Sequence, residues 1–129
     1  MPVFLLNAVI ETIKYIISGG RKSMQKIHVK ANRHWMNDPN GFIYYKGKYH
    51  LFYQCFPYEA RWGRMHWAHV VSDDLVNWEY QGIAVFPSKT DDRDGCFSGS
   101  AVEDEGKLYL YYTGVRYLVE NPEDINLFL

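Results

Sequence analysis

Gly47-Lys48-Tyr49-His50-Leu51-Phe52-Tyr53 is the stretch that decides the fold, because a copy of it returns 59 positions later as Gly106-Lys107-Leu108-Tyr109-Leu110-Tyr111-Tyr112. Each copy begins at a glycine, the residue that tolerates the backbone of a tight turn. Aromatic and aliphatic residues of high strand propensity follow in both copies. The two copies therefore predict two β-hairpins of the same design.

Each hairpin is predicted to belong to a repeated unit of four strands. The predicted strands are Gly41–Tyr45, Lys48–Gln54, Met65–Ser72 and Asn77–Gln81 in the first unit, then Gly95–Glu103 and Lys107–Thr113 in the second. Repeated four-stranded units at roughly this spacing are typical of a β-propeller. The fold class is thus all-β, an incomplete propeller of about one and a half blades.

The faces of the last predicted strand support stacked blades. Leu108, Leu110 and Tyr112 point to one side, and Tyr109 and Tyr111 point to the other. Both sides are apolar enough to be covered, whereas a lone sheet would present one polar face. The pattern alone leaves one alternative open, namely two unrelated hairpins in a sandwich.

The N-terminal segment follows a different pattern. Its apolar residues recur at steps of three and four, which predicts an amphipathic helix; they are Leu6, Val9, Ile10, Ile13, Ile16 and Ile17. A basic leader region and a cleavage site are not recognisable, so neither a signal peptide nor a membrane span is predicted and the cytoplasm is the expected location. We assign residues 1–23 to a helical extension and residues 24–129 to the propeller fragment.

Composition excludes several classes of partner. The chain has 129 residues, 47% of them apolar, and a formal net charge of −1, which offers no basic field for nucleic acid or for a membrane surface. Cys55 and Cys96 are too few for a disulfide framework, so free thiols in a reducing compartment are expected. His66 and His69 could suggest a metal, but they face opposite sides of a strand and are expected to pack; no metal or cofactor is predicted.

Candidate site residues cluster in and around His34–Gly41. Asp38-Pro39-Asn40-Gly41 suits a type I turn that would hold the Asp38 carboxylate rigidly, although a plain turn would explain it equally. If the units are blades, their first strands lie innermost, and Asn37 and Asp38 meet Phe97 and Ser98 at one mouth of the channel. Amides, a hydroxyl, a carboxylate and aromatic rings around one cavity suit a polyol ligand.

Five motifs, in order, resemble those of the family 32 glycoside hydrolases, which include invertases, fructanases and sucrose-6-phosphate hydrolases. They are Trp35-Met36-Asn37-Asp38-Pro39-Asn40-Gly41, Phe52-Tyr53-Gln54, Trp62-Gly63-Arg64-Met65-His66-Trp67, Ser72-Asp73-Asp74-Leu75-Val76-Asn77-Trp78 and Phe97-Ser98-Gly99-Ser100. The resemblance implies a five-bladed propeller and retaining cleavage of β-fructofuranosides, with a small carbohydrate as ligand. It also implies that Asp38 is the nucleophile. The residues that would bind the fructosyl unit are Trp35, Asn37, Gln54, Trp62, Phe97 and Ser98.

The chain also departs from the family pattern. The family's acid/base Glu in a Glu-Cys motif and its Asp in an Arg-Asp-Pro motif are both absent, and Arg93-Asp94-Gly95 is interpreted as a loop. Retaining hydrolysis needs a second carboxyl group. The chain by itself is therefore expected to fold poorly without the remaining blades and to be inactive. Two classes stay open: the N-terminal part of a β-fructofuranosidase, and a propeller fragment that binds sugar without cleaving it.

Overall fold

The computed structural model describes residues 28–117, which form two antiparallel sheets and only one short helical turn, of 3₁₀ type, at Thr90–Asp92. The first sheet has the order β1-β2-β3-β4 and the second pairs β5 with β6. The strands are β1 (Trp35–Tyr45), β2 (Lys48–Phe56), β3 (His66–Ser72), β4 (Glu79–Val85), β5 (Gly95–Asp104) and β6 (Lys107–Val115). The helix predicted at residues 1–23 lies outside the described residues. Within residues 28–117 no helix has the length and apolarity to cross a membrane.

Both predicted hairpins are confirmed, and their turns are alike. Each has a two-residue loop, since Tyr45 pairs with Lys48 and Asp104 pairs with Lys107. The loop residues all have positive φ, 48° and 81° at residues 46 and 47 and 49° and 75° at residues 105 and 106. Positive φ at both positions is the mark of a type I′ turn, whose twist matches that of the flanking strands.

The prediction of a separate turn at Asp38-Pro39-Asn40-Gly41 is wrong, because all four residues lie inside β1. Pro39 pairs with Tyr53 and Asn40 with Phe52, and the ladder is irregular on either side of these pairs. Long pairing with β2 overrides the local turn preference, and the irregularities absorb the proline and the positive φ of 54° at Gly41. β1 accordingly begins six residues earlier than predicted, at Trp35.

Other strand boundaries differ less. β4 was predicted to end at Gln81 but runs to Val85, because Gly82, with φ of 112°, accommodates a ladder irregularity instead of ending the strand. β2 and β6 each extend two residues beyond their predicted ends, to Phe56 and Val115.

The two sheets share an apolar core. Phe52, Trp67 and Cys96 are buried, and the inward side chains of β6 pack against them, namely Leu108, Leu110 and Tyr112. The Cys96 amide donates to the Met65 carbonyl at 2.8 Å, which joins β5 to the start of β3. The predicted split of β6 faces is thus correct on the inner side. On the outer side Tyr111 is 62% exposed, and nothing in the described residues covers it.

The opposite face of the first sheet carries a second core. Tyr53, Cys55, Ala68 and Val70 are buried there. Cys55 and Cys96 therefore lie in different cores and both are free thiols. Burial raises the pKa of Cys55 to about 11 and that of Cys96 to about 12, so both thiols stay protonated and unreactive.

The histidines pack, as predicted. His69 stacks on Phe52 with ring centroids 4.4 Å apart, and its Nε2 lies 2.9 Å from Nδ1 of His50. Burial, together with the neighbouring His50, lowers the pKa of His69 to about 4. His66 instead contacts the Arg64 carbonyl through Nδ1. In the described part of the chain no group of three metal-ligating side chains comes together.

A close approach of β1 to β5 sets the position of the site. A Cβ at Gly41 would lie 3.1 Å from the Ala101 Cβ and 3.0 Å from a ring carbon of Phe52. At the far end of β1, the Tyr45 hydroxyl donates to the Gly106 carbonyl at 2.7 Å. The glycine thus lets the first strands of the two sheets run side by side.

Candidate active site

The Asp38 carboxylate stands at the exposed edge of β1 and faces Ser98 on β5. The Ser98 hydroxyl donates to Oδ2 of Asp38 at 2.8 Å. Within residues 28–117 no group donates to Oδ1, so that oxygen is open to an incoming ligand. A carboxylate with one oxygen held and one free is oriented for attack.

A chain of hydrogen bonds runs through five of the predicted site residues. The Trp35 indole donates to Asn37 Oδ1 at 3.0 Å, and Asn37 Nδ2 donates in turn to Gln54 Oε1. Gln54 Nε2 donates to Ser98 Oγ at 3.1 Å, and the chain ends when Ser98 donates to Asp38. The donors therefore all point towards the carboxylate.

The direction of this chain follows from the chemistry of its first member. An indole N–H can only donate, so Trp35 must meet the amide oxygen of Asn37. That leaves the Asn37 NH₂ to donate to Gln54, whose NH₂ must then donate to Ser98. The Ser98 oxygen accepts that bond, and its single proton points to Asp38 because a carboxylate can only accept. Aligned donors of this kind polarise one another and strengthen the last bond.

Gln54 is the buried centre of this chain. Its side chain is only 3% exposed, and both ends of its amide are hydrogen-bonded. Gln54 thus links Asn37 on β1 to Ser98 on β5, across the gap between the two sheets.

Two further predicted residues, Trp62 and Phe97, form an aromatic wall. Their ring centroids are 6.0 Å apart at an interplanar angle of 80°, and Trp62 is 40% exposed. Phe97 directly precedes Ser98, and its carbonyl accepts a bond of 3.1 Å from the indole of buried Trp67. An exposed aromatic ring face is suited to the apolar side of a sugar.

The structure therefore joins five of the seven predicted residues in one hydrogen-bond chain and packs the other two, Trp62 and Phe97, against each other, with Phe97 next to Ser98 in sequence. Sequence reasoning did not assign functions to Asn40, Trp67 and Thr113, which hold the backbone around Asp38, Phe97 and Ser98. The available signal for Asn40 was its place in the motif that contains Asp38. Thr113 carried no local signal, since its partner lies 15 residues away.

Two other motif segments have structural roles. The Asp74 carboxylate accepts from the amides of Val76 and Asn77 at 2.9 and 2.7 Å and holds the turn between β3 and β4. Those hydrogen bonds, chiefly from Asn77, keep the pKa of Asp74 far below its usual range. Asp94 lies in the turn before β5, as predicted, and accepts from the Tyr117 amide at 2.8 Å.

The site holds a single carboxylate. Within the described residues no other carboxyl group joins the hydrogen-bond chain that ends at Asp38. The arrangement can bind a polyol and present a nucleophile to it. Protonation of a leaving group requires a further acid.

Comparison with known families gives a clear match. The model of the Glycosyl hydrolases family 32 N-terminal domain matches residues 28–126. Those residues include both sheets and every residue of the candidate site.

Individual relatives match over the same region. A sucrose-6-phosphate hydrolase from Zymomonas mobilis is 56% identical over 97 residues, which are 75% of this chain and 19% of that protein. A raffinose invertase from Escherichia coli is 52% identical over 97 residues, which are 20% of that protein. The chain thus spans about a fifth of the length of these curated relatives.

A solved structure is also similar. It is a mutant of a beta-fructofuranosidase from Bombyx mori in complex with sucrose. The TM-score is 0.66 and the identity 43%, over 89% of this chain and 24% of that one.

Proposed function

The chain belongs to glycosyl hydrolase family 32, whose N-terminal domain it matches over residues 28–126, and from that premise we propose that it supplies the nucleophile half of a β-fructofuranosidase site. Asp38 is the nucleophile in this proposal. Trp35, Asn37, Gln54 and Ser98 orient it, and Trp62 with Phe97 forms the wall against which the fructosyl ring lies.

The observation that carries the proposal is the hydrogen-bond chain that ends at Asp38. Four hydrogen bonds in succession lead to one carboxylate, and the last donor, Ser98, bonds only to Oδ2 of Asp38. This leaves Oδ1 as the attacking atom, on a strand whose position is fixed by pairing on one side and by β5 on the other. Such rigid placement is what nucleophilic catalysis requires, since misplacement by about 1 Å can cost about 100-fold in rate.

The reaction is a double displacement. The Asp38 Oδ1 forms a bond to the anomeric carbon of the fructosyl unit while the bond from that carbon to the leaving oxygen breaks, and the leaving oxygen takes a proton from a general acid. Water then attacks the same carbon, its proton passes to the same group acting as base, and the Asp38 carboxylate is released. Net retention of configuration follows from the two inversions.

The proposed acid/base is a carboxyl group outside residues 28–117. In retaining glycosidases the two carboxyl groups stand about 5–5.5 Å apart. The described carboxylates closest in sequence to Ser98 both accept from backbone amides: Glu103 from Gly106 in the turn between β5 and β6, and Asp94 from Tyr117. Neither is therefore assigned this role.

The proposed substrates are β-fructofuranosides such as sucrose or sucrose 6-phosphate, and the proposed frame is a propeller of five blades, of which β1–β4 form the first. The mixed amide, hydroxyl and aromatic lining suits the fructosyl unit common to these sugars. The relatives' names specify sucrose 6-phosphate and raffinose for those proteins.

The test measures fructose release from sucrose and from sucrose 6-phosphate by two proteins. One is the chain as given. The other is a hybrid in which residues 28–117 replace the matching segment of the Zymomonas mobilis hydrolase, to which the chain is 56% identical. We expect turnover by the hybrid and none by the chain alone, because general acid catalysis typically contributes about 10²–10⁴ in rate.

Asp38→Asn in the hybrid should lower kcat by at least about a thousandfold. Asp73→Asn is the matched control, since Asp73 is an exposed carboxylate directly after β3 whose partner is Lys48. Retention of more than a few per cent of activity by Asp38→Asn would remove Asp38 from the nucleophile role. A folded hybrid that binds fructose but shows no turnover would favour the alternative, a sugar-binding propeller without catalysis.

A further inference from the structure

Ser98 occupies a β-bulge. In the β5–β6 ladder Phe97 pairs with Thr113 and Gly99 pairs with Tyr112, so Ser98 is an extra residue without a partner. A bulge bends its strand and re-aims the side chain it carries. The direction of the Ser98 hydroxyl towards Asp38 therefore depends on what holds the bulge in place.

Asn40 ties this bulge to the strand of the nucleophile. Its Oδ1 accepts from the Gly99 amide at 3.2 Å, and its Nδ2 donates to the carbonyl of Asp38 at 3.3 Å. One side chain thus bonds to the residue that bears the carboxylate and to the residue that follows the serine. Asn40 is 4% exposed, so water does not compete for these bonds.

β6 holds the bulge from the other side. The Thr113 hydroxyl donates to the Ser98 carbonyl at 3.2 Å. At Gly99 a Cβ would lie 1.9 Å from the Tyr111 carbonyl oxygen, so β6 can approach only because this residue has no side chain. Asn40 and Thr113 therefore hold the same peptide group, between Ser98 and Gly99, from the two neighbouring strands, Asn40 at its N–H and Thr113 at its carbonyl.

We propose that Asn40 is a positioning residue for the nucleophile, acting through the Ser98 bulge with Thr113 as its counterpart on β6. The Ser98–Asp38 bond is exposed and cannot fix the distance between two sheets by itself. The buried Asn40 fixes that distance, keeps the Ser98 hydroxyl directed at Oδ2 of Asp38, and leaves Oδ1 of Asp38 free. This inference rests on the proposed role of Asp38.

The test compares Asn40→Ala with Asn77→Ala in the hybrid hydrolase. Asn77 is a matched control because its amide is also hydrogen-bonded, to Asp74, but in the turn between β3 and β4. For Asn40→Ala we expect kcat to fall about 10- to 100-fold while KM changes less than threefold, since the nucleophile is displaced and the sugar contacts remain. Asn77→Ala should leave both unchanged. An unchanged kcat, or a loss confined to KM, in a folded Asn40→Ala protein overturns the proposal.

Thr113 gives a second, independent pair of variants that keeps the test decisive if Asn40→Ala does not fold. Thr113 is exposed, and Thr113→Val removes only the hydroxyl from a side chain of the same shape. We expect Thr113→Val to lower kcat several-fold and Thr113→Ser, which keeps a hydroxyl donor, to restore most of it. Equal kcat for the two variants overturns the proposal.

Amide exchange in the hybrid gives a direct readout of the contact between Asn40 and Gly99. Exchange at the Gly99 amide should be faster in Asn40→Ala than in the parent hybrid and unaltered in Asn77→Ala, because Asn40 accepts from that amide. Asp38→Asn separates the two proposals. If it remains active, the proposed function fails; if it is inactive while the Asn40 and Thr113 variants keep normal kcat, only the positioning role fails.

Discussion

Replacing Gln54 by Glu tests the hydrogen-bond chain, because it keeps the side chain's size and removes only its ability to donate when ionised. Gln54 donates to Ser98 at 3.1 Å, and Ser98 donates to Asp38 at 2.8 Å. In Gln54→Glu the ionised carboxylate and that of Asp38 would compete for one Ser98 proton. The two carboxylates would stand within roughly 6 Å of each other, since both contact one hydroxyl, and at an effective dielectric constant of about 20 they repel by about 3 kcal/mol.

The loss of activity in Gln54→Glu should become larger as the pH rises. Position 54 is 3% exposed, so burial and the neighbouring charge raise the pKa of the introduced carboxyl above that of an ordinary Glu. Below its pKa the carboxyl is protonated, donates to Ser98 and restores the chain; above it the chain is broken. We expect kcat/KM of Gln54→Glu to lie within about tenfold of the parent at pH 5 and about 100-fold below it at pH 8.

The assay is sucrose hydrolysis by the hybrid enzyme between pH 5 and pH 8, with Gln54→Leu as control. Leu cannot donate at any pH and leaves Asn37 and Ser98 without a partner, so its loss of about 10- to 100-fold should be the same across the range. A Gln54→Glu activity that keeps a constant ratio to the parent, or that recovers as pH rises, would refute the proposed direction of the chain.

Three further predictions concern a close backbone contact at Gly99 and the ionisable groups of Asp92 and His69. Gly99→Ala should lower the melting temperature of the hybrid and abolish activity, because its Cβ would lie 1.9 Å from the Tyr111 oxygen and such overpacking costs about 1–3 kcal/mol or more. Burial raises the pKa of Asp92, but this effect is outweighed by three hydrogen bonds to its carboxylate, from the Lys89 amide, the Tyr112 hydroxyl and the Ser88 amide. The pKa of Asp92 is therefore lowered overall. Its stabilisation is present above about pH 4 and lost as pH falls through the folded pKa, so parent and Asp92→Asn melting temperatures should converge in acid. For His69, whose pKa of about 4 lies below the unfolded value of about 6.5, NMR should give a midpoint near 4, and its contribution to stability should decline as pH falls from 6.5 to 4; a midpoint above 6 would contradict the burial of this ring.

Local signals in the sequence were enough to predict the two hairpins and most strands. Glycine at the second turn position and apolar alternation on either side act within a few residues, so Gly47 and Gly106 locate both turns. The motif order predicted the family, and with it every residue of the hydrogen-bond chain. Alternation also predicted that Leu108 and Leu110 share one face of β6, and in the structure this face packs against the first sheet.

The conformation of residues 38–41 could not be predicted in this way. Asp-Pro-Asn-Gly favours a turn locally, but Pro39 pairs with Tyr53 and the buried Asn40 pairs with Phe52 in the ladder to β2. The preference of four residues was outweighed by a ladder that joins β1 to a strand further along the chain. Asp38, the proposed nucleophile, therefore stands on a strand with ladder irregularities and not on a turn.

Tertiary structure alone decided how the site residues act on one another. Asp38 and Ser98 are 60 residues apart, and Asn40 and Gly99 are 59 apart, so no local pattern could have paired them. The order of donors from Trp35 to Asp38 exists only once β1, β2 and β5 are side by side. The sequence determines which residue types are present. Which of their atoms form hydrogen bonds with one another depends on distances that are set by packing of the two sheets.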